Sequence, residues 1–173
     1  EAIAWLQDSS ALPILHEALH DKHFTVRLAA IRALQEIGDK NAVWALLDRL
    51  DDENPVVREK AAEALGYLGS QDVVVRLARL LQDEDEFVRR ASVVSLGIIG
   101  STEVSPQLLE ALDDPELLVQ WAAMEALGKL GEPAAVDALA RRLNDDYKPS
   151  WDDRRVSKIA ETALERIPVP EAV

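Results

Sequence analysis

The stretch "DDENPVVREKAAEALGYLGS", Asp51 to Ser70, followed by "QDVVVRLARLLQ", Gln71 to Gln82, decides the fold because it recurs. Its Gly69 has counterparts at Gly38, Gly100 and Gly131, in steps of 31 residues, and the same step relates Val57 to Val26, Val88 and Val119. Leu77 likewise repeats as Leu15, Leu46, Leu108 and Leu139. A unit this short cannot bury its own apolar face, so neighbours must stack and share a core, which predicts an array of repeated helical pieces. Within a unit the first half reads as a turn and then a helix from about Pro55 to Leu68, and the second half as a second, antiparallel helix. Proline fits a first helical turn because its missing N–H would lack a partner there anyway, which suits Pro55, Pro115 and Pro133. Glycine at 38, 69, 100 and 131 can take the left-handed conformation that closes a helix.

The first helix of each unit carries one apolar face. It reads Val57, Ala61, Ala64, Leu65 and Leu68, with Val26, Ala30, Ala33, Leu34 and Ile37 in the copy before, and Val88, Ser92, Ser95, Leu96 and Ile99 in the copy after. The second-helix core set is Val43, Leu46 and Leu50, then Val74, Leu77 and Leu81, then Val136, Leu139 and Leu143. The expected organisation is a single domain over residues 1–173. It comprises a partial first unit at 1–20, in which Ala2, Ile3 and Leu6 match Ala33, Leu34 and Ile37, and repeats at about 21–51, 52–82, 83–113 and 114–144. An insertion at 145–152, holding Tyr147 and Trp151, breaks the period before a polar closing helix at about 153–167.

A chain of 173 residues buries roughly 70% of the surface its unfolded form exposes, so it needs neither metal nor disulfide to fold, and it has no cysteine. With 19 Lys plus Arg against 32 Asp plus Glu, the net charge of -13 repels polyanions, and nucleic acid is not an expected partner. No apolar run has the length of a membrane span, and no basic and then apolar leader opens the sequence. The expected location is therefore the cytoplasm, without membrane contact.

The recurring pattern D-x-x-x-x-x-R-x-x-A-x-x-A-L-x-x-I/L-G runs from Asp21 to Gly38, Asp52 to Gly69 and Asp83 to Gly100. Asp114 to Gly131 keeps it except that Gln120 replaces the arginine. This resembles HEAT repeats, in particular the HEAT-like repeats of phycobilisome (bilin) lyases. The resemblance implies an all-α fold, an α-solenoid in which antiparallel helix hairpins wind into a right-handed superhelix. It also implies a structural ladder of Asp21, Asp52 and Asp83 with Arg27, Arg58 and Arg89, weakened where Gln120 carries no charge. Taken as exposed pairs, each rung is worth about 0 to 1 kcal/mol and sets register more than stability.

The chemical motif that stands out is "HEALH", His16 to His20, which matches the H-E-x-x-H zinc signature. Both histidines occupy ordinary second-helix slots, the remaining His23 falls in the next turn, and a third ligand is missing, so no metal and no catalytic residue are expected. The acidic clusters "DDEN", "DEDE" and "DDPE" are the turns between units, where carboxylates complement helix dipoles. No cofactor is expected either.

In HEAT-like arrays the second helices line the concave face, so the resemblance places a partner-binding surface at His16, Trp44, Asp48, Arg76, Arg79, Gln107, Glu110 and Arg141. Tryptophan and arginine combine large contact area with directional polar groups, which puts Trp44, Arg76 and Arg79 at its centre. The favoured reading is a non-catalytic scaffold for a protein partner whose identity the sequence does not give. The alternative implied by the resemblance is a bilin lyase-type protein that handles a phycobiliprotein and its tetrapyrrole.

Overall fold

The computed structural model describes residues 11–38, 42–69, 71–145, 147, 149, 152 and 154–168. Every regular element among them is helical: α1 Leu12–Ala18, α2 Phe24–Ile37, α3 Ala42–Leu47, α4 Pro55–Leu68, α5 Val74–Arg79, α6 Glu86–Ile99, α7 Ser105–Glu110, α8 Leu117–Leu130, α9 Val136–Arg141 and α10 Val156–Leu164. The fold class is the all-α solenoid type. Chain contacts divide it into two compact units, one ending at Ile99 and the other beginning at Gly100.

Local chemistry fixes the helix ends. Asn54 caps α4 by accepting a hydrogen bond from the Val56 N–H at 3.0 Å, and Pro55 occupies the first turn. Asp85 does the same for α6, accepting from the N–H groups of Phe87 and Val88. Gly38, Gly69, Gly100 and Gly131 close the four long helices with φ between 65° and 78°, a region costly for residues with a Cβ. Pro115 is not a first-turn residue. Glu116 occupies the N-cap position of α8, and Pro115 falls in the turn before it.

The long helices begin at residues 24, 55, 86 and 117, so the sequence period is carried into the backbone. The second helices are shorter than the pattern suggests. Each of α5, α7 and α9 is a six-residue α segment with 3-10 turns before and after it, such as Gln71–Val73 and Leu80–Gln82 around α5. Tightening to 3-10 geometry provides hydrogen bonds for terminal backbone groups over a short length.

In the first unit, α2 packs on α4 and α4 on α6, while α3 lies against α4 and α5 against α6. Val57, Ala61, Ala64, Leu65, Val88, Leu96, Leu46 and Leu77 are essentially inaccessible there. Small residues set the approach of α4 and α6. Ser95 Oγ donates to the Ala62 carbonyl at 2.9 Å, and a Cβ on Gly66 would lie 2.8 Å from Ser95 Cα. In the second unit α8 packs on α10, and a Cβ on Gly128 would lie 2.7 Å from Ala163 Cα.

Three positions assigned to the core are exposed. Val26 is 36% exposed at the start of α2, and Val136 and Leu143 are 40% and 42% exposed around α9. Ala2, Ile3, Leu6 and Trp151 lie outside the described residues.

Candidate partner-binding face

The surface positions are set by which side of each short second helix the core consumes. On α3, Ala42, Val43, Leu46 and Leu47 turn inward, which leaves Trp44 and, one turn on, Asp48 facing out. Trp44 is 67% exposed and Val75, its counterpart on α5, is 65% exposed. Pro13, in the same slot of α1, is exposed as well. Leu47, between Trp44 and Asp48, is buried, because it falls on the inward stripe beside Leu46.

Arg76 is half-buried and already engaged. Its Nη2 pairs with Asp51 at 2.5 Å and donates to the Leu47 carbonyl at 3.3 Å, tying α5 to the end of α3. Arg79 and His16 are exposed. Asp48 lines a shallow depression with His20, Asp21, Arg27 and Asp51, and so belongs to the turn region as much as to the helix face. His20 Nδ1 is hydrogen-bonded to the His16 carbonyl at 2.9 Å, one turn back on the same helix. Among the described residues no group of three or more histidines and carboxylates is arranged to hold a metal.

In the second unit Gln107, Glu110 and Arg141 are exposed. Arg141 lines an open groove of about 500 Å³ with Leu109, Leu112, Asp113, Asp137 and Arg142, between the ends of α7 and α9. Arg141 Nε donates to the Asp137 carbonyl at 3.3 Å, and Arg142 pairs with Asp113 at 2.8 Å.

The turns between hairpins hold a second set of arginine contacts. Arg27 Nη1 donates to the Asp21 carbonyl at 2.8 Å, and its Nη2 pairs with the Asp52 carboxylate at 2.7 Å. Arg58 donates Nη1 to the Asp52 carbonyl at 2.9 Å and grips Asp83 with Nε and Nη2, both at 2.8 Å. Arg89 Nη1 donates to the Asp83 carbonyl at 2.9 Å. Each guanidinium thus bonds the backbone of the turn six residues before it, and Arg27 and Arg58 also bond the side chain of the turn 25 residues after. These pairs are not the exposed pairs of the sequence reading. Side-chain exposure is 6% and 3% for Arg27 and Asp52, and 11% and 9% for Arg58 and Asp83. Hydrogen bonding to the partner carboxylate outweighs desolvation and holds the pKa of Arg27 and of Arg58 above the ordinary value. Asp52 and Asp83 also accept from the N–H of Asn54 and Asp85, both at 3.0 Å, so each carboxylate shapes its own turn.

Gln120 keeps the backbone half of this arrangement: its Nε2 donates to the Asp114 carbonyl at 2.7 Å, while its Oε1 accepts from Arg142 at 3.0 Å. Sequence reasoning missed Arg49 and Arg142, and the bracing role of Arg76. Arg49, Arg76 and Arg142 each reach back to a carbonyl about one unit earlier, Leu19, Leu47 and Leu112. The signal was available, since Arg49 and Arg142 occupy equivalent slots.

A family model described as HEAT repeats matches residues 1–65, 43–117 and 101–165. The chain belongs to the HEAT-repeat family. No curated protein matches it. Among solved structures, this HEAT-repeat chain is similar to the complex of CpcE and CpcF of phycocyanin lyase from Nostoc sp. PCC7120, with 26% identity and a TM-score of 0.77. That match covers 88% of this chain and 63% of the other, so the present sequence spans less than two thirds of the lyase chain. It is also similar in fold to an engineered protein, at 23% identity and a TM-score of 0.67, covering 96% and 83% of the two chains. A third similar structure is an archaeal HEAT-like repeats protein from Thermococcus onnurineus NA1, at 22% identity and a TM-score of 0.63, covering 99% and 77%. No helix among the described residues is long and apolar enough to cross a membrane.

Proposed function

We propose that this HEAT-repeat chain is a non-catalytic scaffold that binds a protein partner on the outward side of its second helices, with Trp44 as the anchor and Arg79 beside it in role. The observation that carries this reading is the exposure of Trp44 and Val75 in equivalent slots of α3 and α5, each about two thirds accessible. Neither side chain is needed by the core, which is filled by Leu46 and Leu77 on the same helices. A tryptophan burying its surface only on association is a common source of binding energy. Arg76 acts here as a brace for Asp51 and the α3 terminus, so it shapes the face more than it contacts the partner. Gln107, Glu110 and Arg141 form the corresponding surface of the second unit, and the cytoplasm is the proposed setting.

The test is affinity capture from the source organism's lysate with wild-type protein and with Trp44→Ala/Arg79→Ala, followed by titration of the captured partner. Loss of that partner with an unchanged unfolding curve is the expected result. Equal capture by both proteins would sink the proposal.

The similarity to the CpcE and CpcF complex supports a second reading, in which the chain handles a phycobiliprotein and its tetrapyrrole. Mixing the purified protein with phycocyanobilin should then red-shift and sharpen the pigment's absorption band. An unchanged spectrum leaves the scaffold reading alone.

A further inference from the structure

A cleft of about 270 Å³ lies between α8 and α10, lined by Glu125 and Lys129 on one side and by Arg154, Lys158 and Arg166 on the other, over a floor that includes the buried Ile159. Lys158 lies within α10, Arg154 just before its N-cap and Arg166 just past its end, and all three side chains line the cleft. Four cations therefore converge on one small cavity of a chain whose acidic residues outnumber its basic ones by 32 to 19.

These cations are not equally committed. Arg154 is fixed: its Nη2 pairs with Asp152 at 2.9 Å, its Nη1 bonds Glu125 at 3.2 Å, and its guanidinium lies 5.1 Å from the centre of the Trp121 ring. The one acidic wall residue, Glu125, is thereby occupied. Lys158 pairs with Glu161 at 2.6 Å on the rim. Lys129 and Arg166 are exposed, and neither is ion-paired to a described residue. Lys129 lies in the last turn of α8, where a cation complements the helix dipole, but that does not explain why Arg166 meets it across the same cavity.

We propose that this cleft is a binding site for a small multivalent oxyanion bearing phosphate or carboxylate groups, held by Lys129 and Arg166 with Lys158 and Arg154 at its edge. The volume is below the range of roughly 300–1,000 Å³ usual for drug-sized ligands, which points to a compact anion. Screening over roughly 8 Å at physiological salt lets the local cations outweigh the net negative charge of the whole chain.

The experiment titrates the full chain with inorganic pyrophosphate and, separately, with citrate, by calorimetry and by backbone amide shifts, with chloride matched. Saturation by either anion, with shifts centred on residues of α8 and α10, is expected, and the anion that saturates identifies the chemical group. Lys129→Ala/Arg166→Ala should weaken binding by about tenfold or more through loss of two charge-assisted contacts. Lys22→Ala, an exposed cation of the first unit, should leave it unchanged. Absence of saturation by both anions, equal binding by the double variant, or binding of a hexaglutamate peptide alone would overturn the assignment.

Discussion

Replacing Arg58 by methionine keeps much of the apolar stem of the side chain while removing four hydrogen bonds, two to the Asp83 carboxylate and one each to the Asp52 and Glu53 carbonyls. Because Asp83 is nearly buried, the charge it keeps would have lost its cation but not its desolvation. Breaking a buried pair in this way costs about 3–5 kcal/mol, whereas an exposed pair is worth about 0–1 kcal/mol. Total stability of a domain is roughly 5–15 kcal/mol, so urea denaturation followed by circular dichroism resolves the two cases easily. Two further variants sharpen the test. Arg58→Gln copies the natural Gln120, which retains its bond to the Asp114 carbonyl, and should recover about 0.5–1.5 kcal/mol relative to methionine. Arg58→Met/Asp83→Asn removes the stranded charge while leaving an oxygen for the Asp85 N–H, and should be more stable than Arg58→Met. A loss below about 1 kcal/mol for Arg58→Met, or a double variant weaker than the single, would refute the argument from burial.

Gly128→Ala should destabilise the second unit by about 1–3 kcal/mol of overpacking, less the ~1 kcal/mol that alanine gains over glycine in a helix, because the new Cβ would meet backbone atoms of Ala163. Thermal melting checks this, and Ala163→Gly should restore part of the loss. For Lys60, burial lowers the pKa, but hydrogen bonds to Glu63 and Glu59 outweigh it and hold the group above its ordinary value of 10.5. A raised pKa gives stability that is complete below 10.5 and is lost as pH rises through the folded value, so the melting-temperature gap between wild type and Lys60→Met should stay constant near neutrality and narrow above pH 10.5.

Much of this architecture was legible because periodicity survives translation into helices. The 31-residue step reappears in the starts of α2, α4, α6 and α8, and four glycines take the left-handed conformation their positions suggest. What was not legible depends on neighbours. Arginine and aspartate read as surface residues, yet Arg27 and Asp52 are buried because the turns of successive hairpins stack and enclose them. Trp121 aligns with Leu28, Glu59 and Arg90, slots that do not foretell burial, yet it is 3% exposed beneath the Arg154 guanidinium. Its cover comes from residues after the insertion, where the repeat no longer predicts spacing. Tyr147, in that insertion, is exposed, and its carbonyl accepts the N–H of Val156 at the start of α10. Arg76 was legible as a candidate contact but not as a brace, since its partner Asp51 stands 25 residues away. A second glycine series, Gly66, Gly97 and Gly128, is also present in the sequence, and a Cβ on Gly66 or Gly128 would collide with the facing helix.

Because Arg27 and Arg58 each clasp the turn behind them by its peptide oxygen and the turn ahead by its carboxylate, adding or deleting a few residues between them would leave a guanidinium reaching for an absent mate. Growth or shrinkage of that region is therefore quantised in whole modules. The additional residues at 145–152 instead come after Gln120, whose uncharged amide makes no such demand on the turn that follows. Spacing is free to change where the clasp has been relaxed.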